Sequence, residues 1–391
     1  MHHAASEGPL DGTTVLDLST VGPAARCSRL LADYGATVVK VGAPPRAGSP
    51  QIVPPAHAYS GHRGMRRARI DLKAPAGRDA FLRLAAAADV VLESFRPGVV
   101  DRLGIGHEAV RAANPGIVYC STTGYGQSGP QAARAGHDLN YLAAGGYLHM
   151  SGRDGAGRPT LPGATVADIA GGGMHAAVAI LAALVGRSRT GEGARLDVSV
   201  ADGVLWMLSL YIDEYLATGE VPEPGHHMLT GRYACYDVYG TRDGRWIAVG
   251  AIEPVFWANL CRALDLERWI DHQTDDDVQE AIRADLRTAF ARRDRDEWVA
   301  LLGDADTCVA PVNDIPAVVS DPQHVSRGAF VRASHPEQGT FRQLGPVLAG
   351  ASRRDGYQLR PASASDTAQL LASAGVPAEE IDALAADGVI V

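Results

Sequence analysis

No Cys-x-x-Cys pair occurs in this chain. Its five cysteines, Cys27, Cys120, Cys235, Cys261 and Cys308, are scattered and odd in number. That argues against a zinc cluster and a disulfide framework, and for a reducing, cytoplasmic compartment. Long apolar runs are missing too. Met1 to Gly8 holds no apolar stretch of the kind an export signal needs, and the most apolar later stretch, Ala176 to Val185, is far shorter than a bilayer span. Neither export nor a membrane span is expected. There is no block of Lys or Arg, and the formal net charge is -9, so a surface tracking nucleic-acid phosphates would work against the overall field. A nucleic-acid partner is therefore set aside.

A dinucleotide fingerprint is also missing. The chain opens strand, turn, helix at Leu16-Asp17-Leu18-Ser19-Thr20-Val21-Gly22-Pro23, but one glycine followed by proline stands where pyrophosphate binding needs three spaced glycines. This excludes the common nicotinamide dehydrogenase pattern.

What is present suits a folded, mixed protein. At 391 residues, with 46% hydrophobic and 21% charged residues, the chain is globular and long enough for two domains. Thr14 to Leu18, Ala36 to Val41, Asp89 to Glu93 and Gly116 to Cys120 read as apolar strands, with helical stretches between them. Such alternation predicts a large, open, doubly wound parallel sheet with helices on both faces. After Gly193 the pattern changes. Leu196 to Thr218 reads as one long apolar-periodic segment, and Pro222, Pro224 and Gly225 break the chain beyond it. Asp243-Gly244, flanked by Tyr236 to Tyr239 and Trp246 to Val249, marks a hairpin opening a smaller α+β domain. Helical patterns follow over 254–264, 276–292 and 296–303, and again over 365–374 and 378–386. The predicted organisation is a large domain over 1–196, a linker over 197–231 and a small domain over 232–310. A second linker over 311–342 then leads to a tail, 343–391, that packs back on the first sheet.

Three places carry groups able to do chemistry. Asp168 precedes Gly171-Gly172-Gly173 and a helix from Met174 to Leu184, apolar nearly all round. A helix amino end stabilises a carboxylate, and glycines let a substrate oxygen approach the backbone; the other reading is that Asp168 is simply a cap. His137 lies in Gly136-His137-Asp138, where a turn-rich loop meets a helix. A neutral imidazole there is able to take a proton near pH 7, although a loop histidine also occurs with no such role. Glu253, in Gly250-Ala251-Ile252-Glu253-Pro254, ends an apolar strand just before a helix, a place where the helix dipole alone favours an acid.

Taken together these elements resemble the family III coenzyme A transferases (the CaiB/BaiF type), most closely the α-methylacyl-CoA racemases among them. The resemblance runs over nearly the whole chain. It includes the opening strand-helix-strand, Phe95-Arg96-Pro97-Gly98-Val99, the loop Gly124 to Pro130, Gly136-His137-Asp138, Asp168 with its glycines, Gly250 to Pro254, and Glu379-Glu380-Ile381. It implies a large doubly wound domain, a smaller domain reached by two long linkers, and a homodimer of interlocked chains whose active site is shared, with Glu253 reaching in from the small domain. It implies that Asp168, His137 and Glu253 act on an acyl-CoA thioester, and that Arg66 and Arg96, with Tyr125 and Gly126, bind coenzyme A. Val41-Gly42-Ala43 lacks the acid and base common in relatives and Met65 stands where lysine is usual, so Arg46, Arg67 or Arg69 is expected to supply the missing positive charge. No metal and no cofactor are expected beyond the coenzyme A that the substrate itself carries.

Two reactions fit that resemblance. In a racemase or epimerase of 2-methylacyl-CoA thioesters, His137 and Asp168 flank the α-carbon, one removing a proton and the other returning it, with backbone donors at the start of the Gly171 helix holding the enolate oxygen. In a coenzyme A transferase, Asp168 attacks the thioester to give an acyl anhydride, and His137 is dispensable. A third reading is a non-catalytic coenzyme A-binding protein, prompted by Gly42, Ala43 and Met65.

Overall fold

The computed structural model describes residues 8–45 and 54–391, and divides into two compact units. Unit 1 comprises the described residues up to Tyr147 together with Pro162–Leu210 and Pro322–Val391; unit 2 comprises Leu148–Leu161 and Tyr211–Asp321.

Unit 1 is built on six strands, β1 (Thr14–Asp17), β2 (Thr37–Gly42), β3 (Arg66–Arg69), β4 (Val90–Glu93), β5 (Val118–Thr123) and β6 (Ala194–Ser199). Their order is β3-β2-β1-β4-β5-β6, and every neighbouring pair is parallel. Side-chain alternation divides each strand between two cores. Leu16, Val39, Val41, Ala68, Val91 and Tyr119 bury on one face, while Val15, Val38, Val90, Leu92, Val118 and Cys120 bury on the other. A sheet covered on both sides needs apolar residues at successive positions, which is why β1, β2, β4 and β5 were legible as strands.

Two strands were not. β3 reads Arg-Arg-Ala-Arg, with no apolar run to mark it. β6 reads Ala-Arg-Leu-Asp-Val-Ser, a weak alternation that the apolar stretch behind it masked. The 197–231 stretch, expected as a linker, carries the end of β6, the Val200–Met207 and Ser209–Thr218 helices and a short turn at Met228–Thr230. The second expected linker, 311–342, likewise carries two short helices, the strand β10 (Phe330–His335) and the start of β11 (Gly339–Leu344). With β12 (Gly356–Gln358) these form a separate three-stranded sheet in unit 1. The tail closes on β3 through backbone bonds: Asp366 N–H donates to Arg67 O at 2.7 Å and Asp71 N–H to Val389 O at 2.8 Å.

The glycine run also differs from expectation. Ala167–Met174 is one π-helical turn that continues directly into the His175–Thr190 helix. The result is a helical stretch of 24 residues with mean hydropathy 1.8 in its most apolar window, long and apolar enough by composition to cross a membrane, where the sequence alone suggested a shorter run. Its inner side packs in the sheet core through Ala176, Ala177 and Ile180, and Arg187 near its end pairs with Asp89 at 2.7 Å. Those features are what a core helix of a folded unit requires. Its outer side leaves Met174, Val178 and Val185 exposed.

Unit 2 holds the antiparallel sheet β7-β8-β9: β7 (Tyr236–Gly240), β8 (Trp246–Gly250) and β9 (Val309–Pro311). The β7–β8 hairpin turns at Asp243-Gly244, where Gly244 takes φ 74°, a left-handed conformation open to glycine without strain. Its core stacks Tyr239 on Phe290 and sets Trp298 edge-on against Phe290, beneath the Pro254–Ala263 and Gln279–Phe290 helices.

Candidate active site

The strand order of unit 1 reverses between β1 and β4, and in such sheets ligands collect beyond the carboxyl ends of the strands at that reversal. Two groups of polar residues lie on the segments that leave the sheet at this end.

The first group contains His137 and Asp168. The Gly124 to Pro130 loop is folded back by Asp197, whose two carboxylate oxygens both accept the Gln127 N–H at 3.0 Å. Beyond it, Tyr141 hydroxyl donates to Gly136 O at 2.6 Å. A β-carbon at residue 136 would meet the Tyr141 ring at 2.7 Å, so only glycine fits under that ring. Tyr125 packs edge-on against Tyr141 at 5.1 Å. His137 then takes the cap position of the Asp138–Ala144 helix, its N–H donating to Asn140 Oδ1 at 3.0 Å, and its imidazole is exposed.

Asp168 sits in the first turn of the π-helix, half-buried. The cap position belongs to Val166, and among the described residues none donates a hydrogen bond to the Asp168 carboxylate. Asp168 is therefore not spent as a cap. Its own N–H donates to Asp138 Oδ1 at 2.8 Å, which ties the residue after His137 directly to the carboxylate's backbone. Burial first, and then the charge of Asp138, raise the Asp168 pKa above the ordinary aspartate value, with Arg26 and His137 pulling the other way. The four groups thus share one electrostatic environment. Burial, with Asp168 as the next cause, likewise pushes the Tyr141 hydroxyl up to about 12.

Gly171, Gly172 and Gly173 have a different role from the expected one. All three are buried inside the helix, so their amides are not free donors at its start. They admit neighbouring backbone: a β-carbon on Gly171 would meet Val200 O at 2.8 Å, one on Gly172 would meet Pro23 at 2.6 Å, and one on Gly173 would meet Arg26 Cβ at 3.1 Å. Close packing of the Gly22–Asp33 helix under the π-turn brings Arg26 to the Asp168 side, where its Nη2 donates to Thr165 Oγ1 at 2.8 Å.

The second group is a cleft of about 350 Å³ lined by Ser19, Thr20, Lys40, Gly42, His62, Arg67 and Arg69, among others. On β3, Arg67 and Arg69 share a face by strand alternation and both line this cleft. Arg66 points the other way, its Nη2 donating to Gln369 Oε1 at 2.8 Å. Lys40 was missed by the sequence reading. Its Nζ pairs at 2.5 Å with Asp17 Oδ2, a fully buried carboxylate whose Oδ1 also accepts from the Ser19 N–H and hydroxyl. The available signal was a lone lysine in the otherwise apolar strand Thr-Val-Val-Lys-Val-Gly. Gly42 and Ala43 leave the cleft open where larger residues would fill it. Burial first, and then the Lys40 and Arg67 charges, push the His62 imidazole down to about 4, so it is neutral at pH 7. Arg96 is exposed on the loop after β4, Gly126 turns the 124–130 loop at φ 81°, and Arg46 lies outside the described residues.

Glu253 belongs to unit 2. It occupies the cap position of the Pro254–Ala263 helix, but its carboxylate makes no cap bond and is exposed.

These residues lie on a chain with clear relatives. The description of CoA-transferase family III matches residues 10–380. The chain belongs to that family. Human alpha-methylacyl-CoA racemase is 36% identical over 97% of this chain and 97% of its own length. Human succinyl-CoA:glutarate CoA-transferase is 32% identical over 87% of this chain and 80% of its own. A CAIB/BAIF family protein from Brucella suis, solved by crystallography, superposes with a TM-score of 0.78 at 28% identity, covering 94% of this chain and all of that one. The family thus includes both racemases and transferases, and this chain shares its mixed fold of one large parallel sheet with smaller sheets.

Proposed function

We propose that this family III protein racemises or epimerises 2-methylacyl-CoA thioesters. The observation that carries the reading is the tie between Asp168 and Asp138, the residue next to His137. The Asp138 side chain, one residue beyond the imidazole, receives the Asp168 amide at 2.8 Å, so the two acid–base groups are held at one end of unit 1. A racemase needs two such groups, one to take the α-proton from one face and one to return it on the other. Asp168 has its pKa raised by burial and by Asp138, which suits a carboxyl that must carry a proton for part of the cycle.

In this mechanism the imidazole of His137 takes the α-proton of one enantiomer, and the electron pair moves onto the thioester oxygen as an enolate. Asp168 then delivers its proton to the opposite face of the same carbon, and the C–H bond re-forms with inverted configuration. For the other enantiomer the roles exchange. The positive amino end of the Ala167–Met174 turn favours the enolate. No metal is needed for these steps. Glu253, contributed by a second copy of the chain, steadies the His137 imidazole. The phosphates of coenzyme A lie in the Lys40–Arg67–Arg69 cleft, whose cations offset the absence of charge at Gly42 and Ala43, with Arg96, Tyr125 and Gly126 contacting the rest of coenzyme A; Arg66, turned to Gln369 on the other face of β3, is outside this cleft.

A homodimer fits the apolar residues that unit 1 leaves on its surface. Met174, Val178 and Val185 on one helical stretch, Leu205 and Trp206 on the Val200–Met207 helix and Leu210 on the Ser209–Thr218 helix are exposed, Trp206 by 79%. Apolar residues of that size in contiguous runs mark interaction surfaces. All five cysteines are free, four of them buried, as suits a reducing cytoplasm.

The similarity to a succinyl-CoA:glutarate transferase supports a second reading. There the Asp168 carboxylate attacks the thioester carbonyl, expelling coenzyme A as thiolate and leaving an acyl-aspartyl anhydride; the thiolate then adds to the aspartyl carbonyl and releases the donor acid, and the acceptor carboxylate attacks the resulting aspartyl thioester, so that the thiolate expelled again takes the acceptor acyl group and frees Asp168. Incubation of a single-enantiomer 2-methylacyl-CoA in heavy water separates the two. Deuterium at the α-carbon with loss of optical purity and no added acid is the expected result. Turnover only when a carboxylic acid is supplied, with no deuterium incorporated, overturns it.

A further inference from the structure

We propose that Gln273 is a positioning residue for Glu253, acting through the backbone that presents it. The inference rests on the reading of Glu253 given above. It starts from how the chain leaves β8. Gly250 N–H donates to Cys308 O at 2.9 Å, and Ala251 N–H to Cys235 O at 2.9 Å, so the donors of this segment are held by neighbouring chain. Its carbonyls are held by one side chain. Gln273 Nε2 donates to Ala251 O at 2.9 Å and to Ile252 O at 2.6 Å.

That arrangement fixes orientation as well as position. The Ile252 carbonyl belongs to the peptide unit that joins Ile252 to Glu253, and peptide units are rigid planes. Holding the C=O of that plane sets the direction in which the Glu253 Cα leaves it. Holding the preceding C=O with the other hydrogen of the same amide removes the remaining rotation. The ring of Pro254 clashes with a helical conformation of the residue before it, which restrains Glu253 to its extended backbone, φ -68° and ψ 136°, so the Glu253 Cα–Cβ bond is constrained from both sides. The carboxylate itself makes no cap bond and stays exposed: the backbone is constrained while the acid is left available.

Gln273 is in turn held. Gln279, only 5% exposed, donates through Nε2 to Asp275 O at 2.8 Å and Gln273 O at 3.3 Å, while its Oε1 accepts the Ala234 N–H at 2.8 Å. Ala234 adjoins Cys235, the residue whose carbonyl holds Ala251. Two glutamines thereby close a ring of hydrogen bonds around the Glu253 approach, all within unit 2. A glutamine that merely satisfied buried carbonyls would affect stability alone. One that aims Glu253 affects turnover, because small misplacement of an acid–base group costs rate steeply.

Q273M keeps length and volume and removes both donors. It is expected to lower kcat for α-proton exchange about 10- to 100-fold, with KM for the acyl-CoA within about twofold, on the scale that an ångström of misplacement costs. In an E253Q background, Q273M is expected to add less than about twofold, because residues acting as one unit are not additive. Wild-type kcat in Q273M, or a loss that multiplies the E253Q loss in full, overturns the proposal. E253Q at wild-type activity overturns the reading of Glu253 and the role of Gln273 with it, whereas a crippled E253Q beside a fully active Q273M overturns the role of Gln273 alone. Should Q273M fail to fold, Q273E takes its place. Its kcat relative to wild type is expected to rise as pH falls and the new carboxyl regains a donor hydrogen; a ratio flat with pH overturns the proposal.

Discussion

The Asp168 backbone amide donates to Asp138 Oδ1 at 2.8 Å, so one carboxylate positions another. Asp138 does two things by this contact. Its oxygen fixes the first turn of the π-helix relative to the His137 loop, and its charge raises the Asp168 pKa.

These two effects are separable in D138N, which retains an acceptor oxygen and loses the charge. A neighbouring negative charge disfavours ionisation, so its removal lowers the Asp168 pKa. The acid limb of the exchange rate against pH is therefore expected to move to lower pH in D138N, with the plateau reduced by less than about tenfold. D138A loses the tie as well, and its plateau is expected to fall about 10- to 100-fold, as misplacement does. An unshifted acid limb in D138N would mean that Asp168 does not titrate in the reaction.

Asp168 itself is expected to be indispensable and slightly destabilising. D168N removes a positioned proton carrier, and exchange is expected to fall by at least the ~10²–10⁴-fold that such a group contributes. Stability follows the opposite sign. A carboxyl whose folded pKa lies above its unfolded value binds its proton more tightly in the native state, so ionisation above that pKa weakens the fold. The neutral amide avoids this, and D168N is expected to melt at or slightly above the wild-type temperature at pH 7 and to lose that advantage near pH 4. Calorimetry at the two pH values measures it.

How much of this was legible in the sequence depended on whether a residue's signal is local. β1, β2, β4 and β5 announced themselves because burial on both faces demands consecutive apolar residues. β3 did not, because its Arg67 and Arg69 point into a polar cleft and its pairing to β2 is decided by tertiary contact. Asp168 and His137 were singled out from their positions near helix starts, and the fold brings both into one electrostatic environment. The role of the glycines was misjudged: a glycine run before an apolar helix reads as a loop for a ligand, whereas here its missing side chains admit Pro23, Val200 and Gly203. Lys40 and Asp17 were overlooked because a buried ion pair between adjacent strands has no spacing signature. Gln273 had none either, since its partners lie some twenty residues earlier in the chain.

The cleft yields a prediction about affinity. Burial lowers the pKa of both Arg67 and Arg69, and for Arg67 the neighbouring Arg69 and Arg360 add to the effect. A polyanion relieves such repulsion between like charges. R69Q is expected to raise KM for acyl-CoA about tenfold, within the range that charge-assisted hydrogen bonds supply, and to leave kcat within about twofold. KM should also depend less steeply on salt in the variant, since one screened attraction has gone. An unchanged KM at low salt would place the coenzyme A phosphates elsewhere.

The position of Asp168 depends finally on a contact between two glycines. A β-carbon at Gly203 would fall inside the van der Waals shells of Gly171 O and Cα. The obstacle is backbone on both sides, in the Val200–Met207 helix and in the π-turn, so no side-chain rotation relieves it. G203A must push the two elements apart. Overpacking of this kind costs about 1–3 kcal/mol, and a lowered melting temperature is expected. The displacement also moves the turn that bears Asp168, three residues before Gly171, and stretches its hydrogen bond to Asp138. Activity is therefore expected to fall about 10-fold or more, even when assayed well below the melting transition. G186A is the control: nothing lies within 4 Å of a β-carbon at Gly186, and alanine favours a helix interior over glycine by about 0.5–1 kcal/mol, so it should keep wild-type activity and melt at or slightly above the wild-type temperature. A G203A variant with lowered stability and full activity would show that the separation of the two helices does not set the position of the carboxylate.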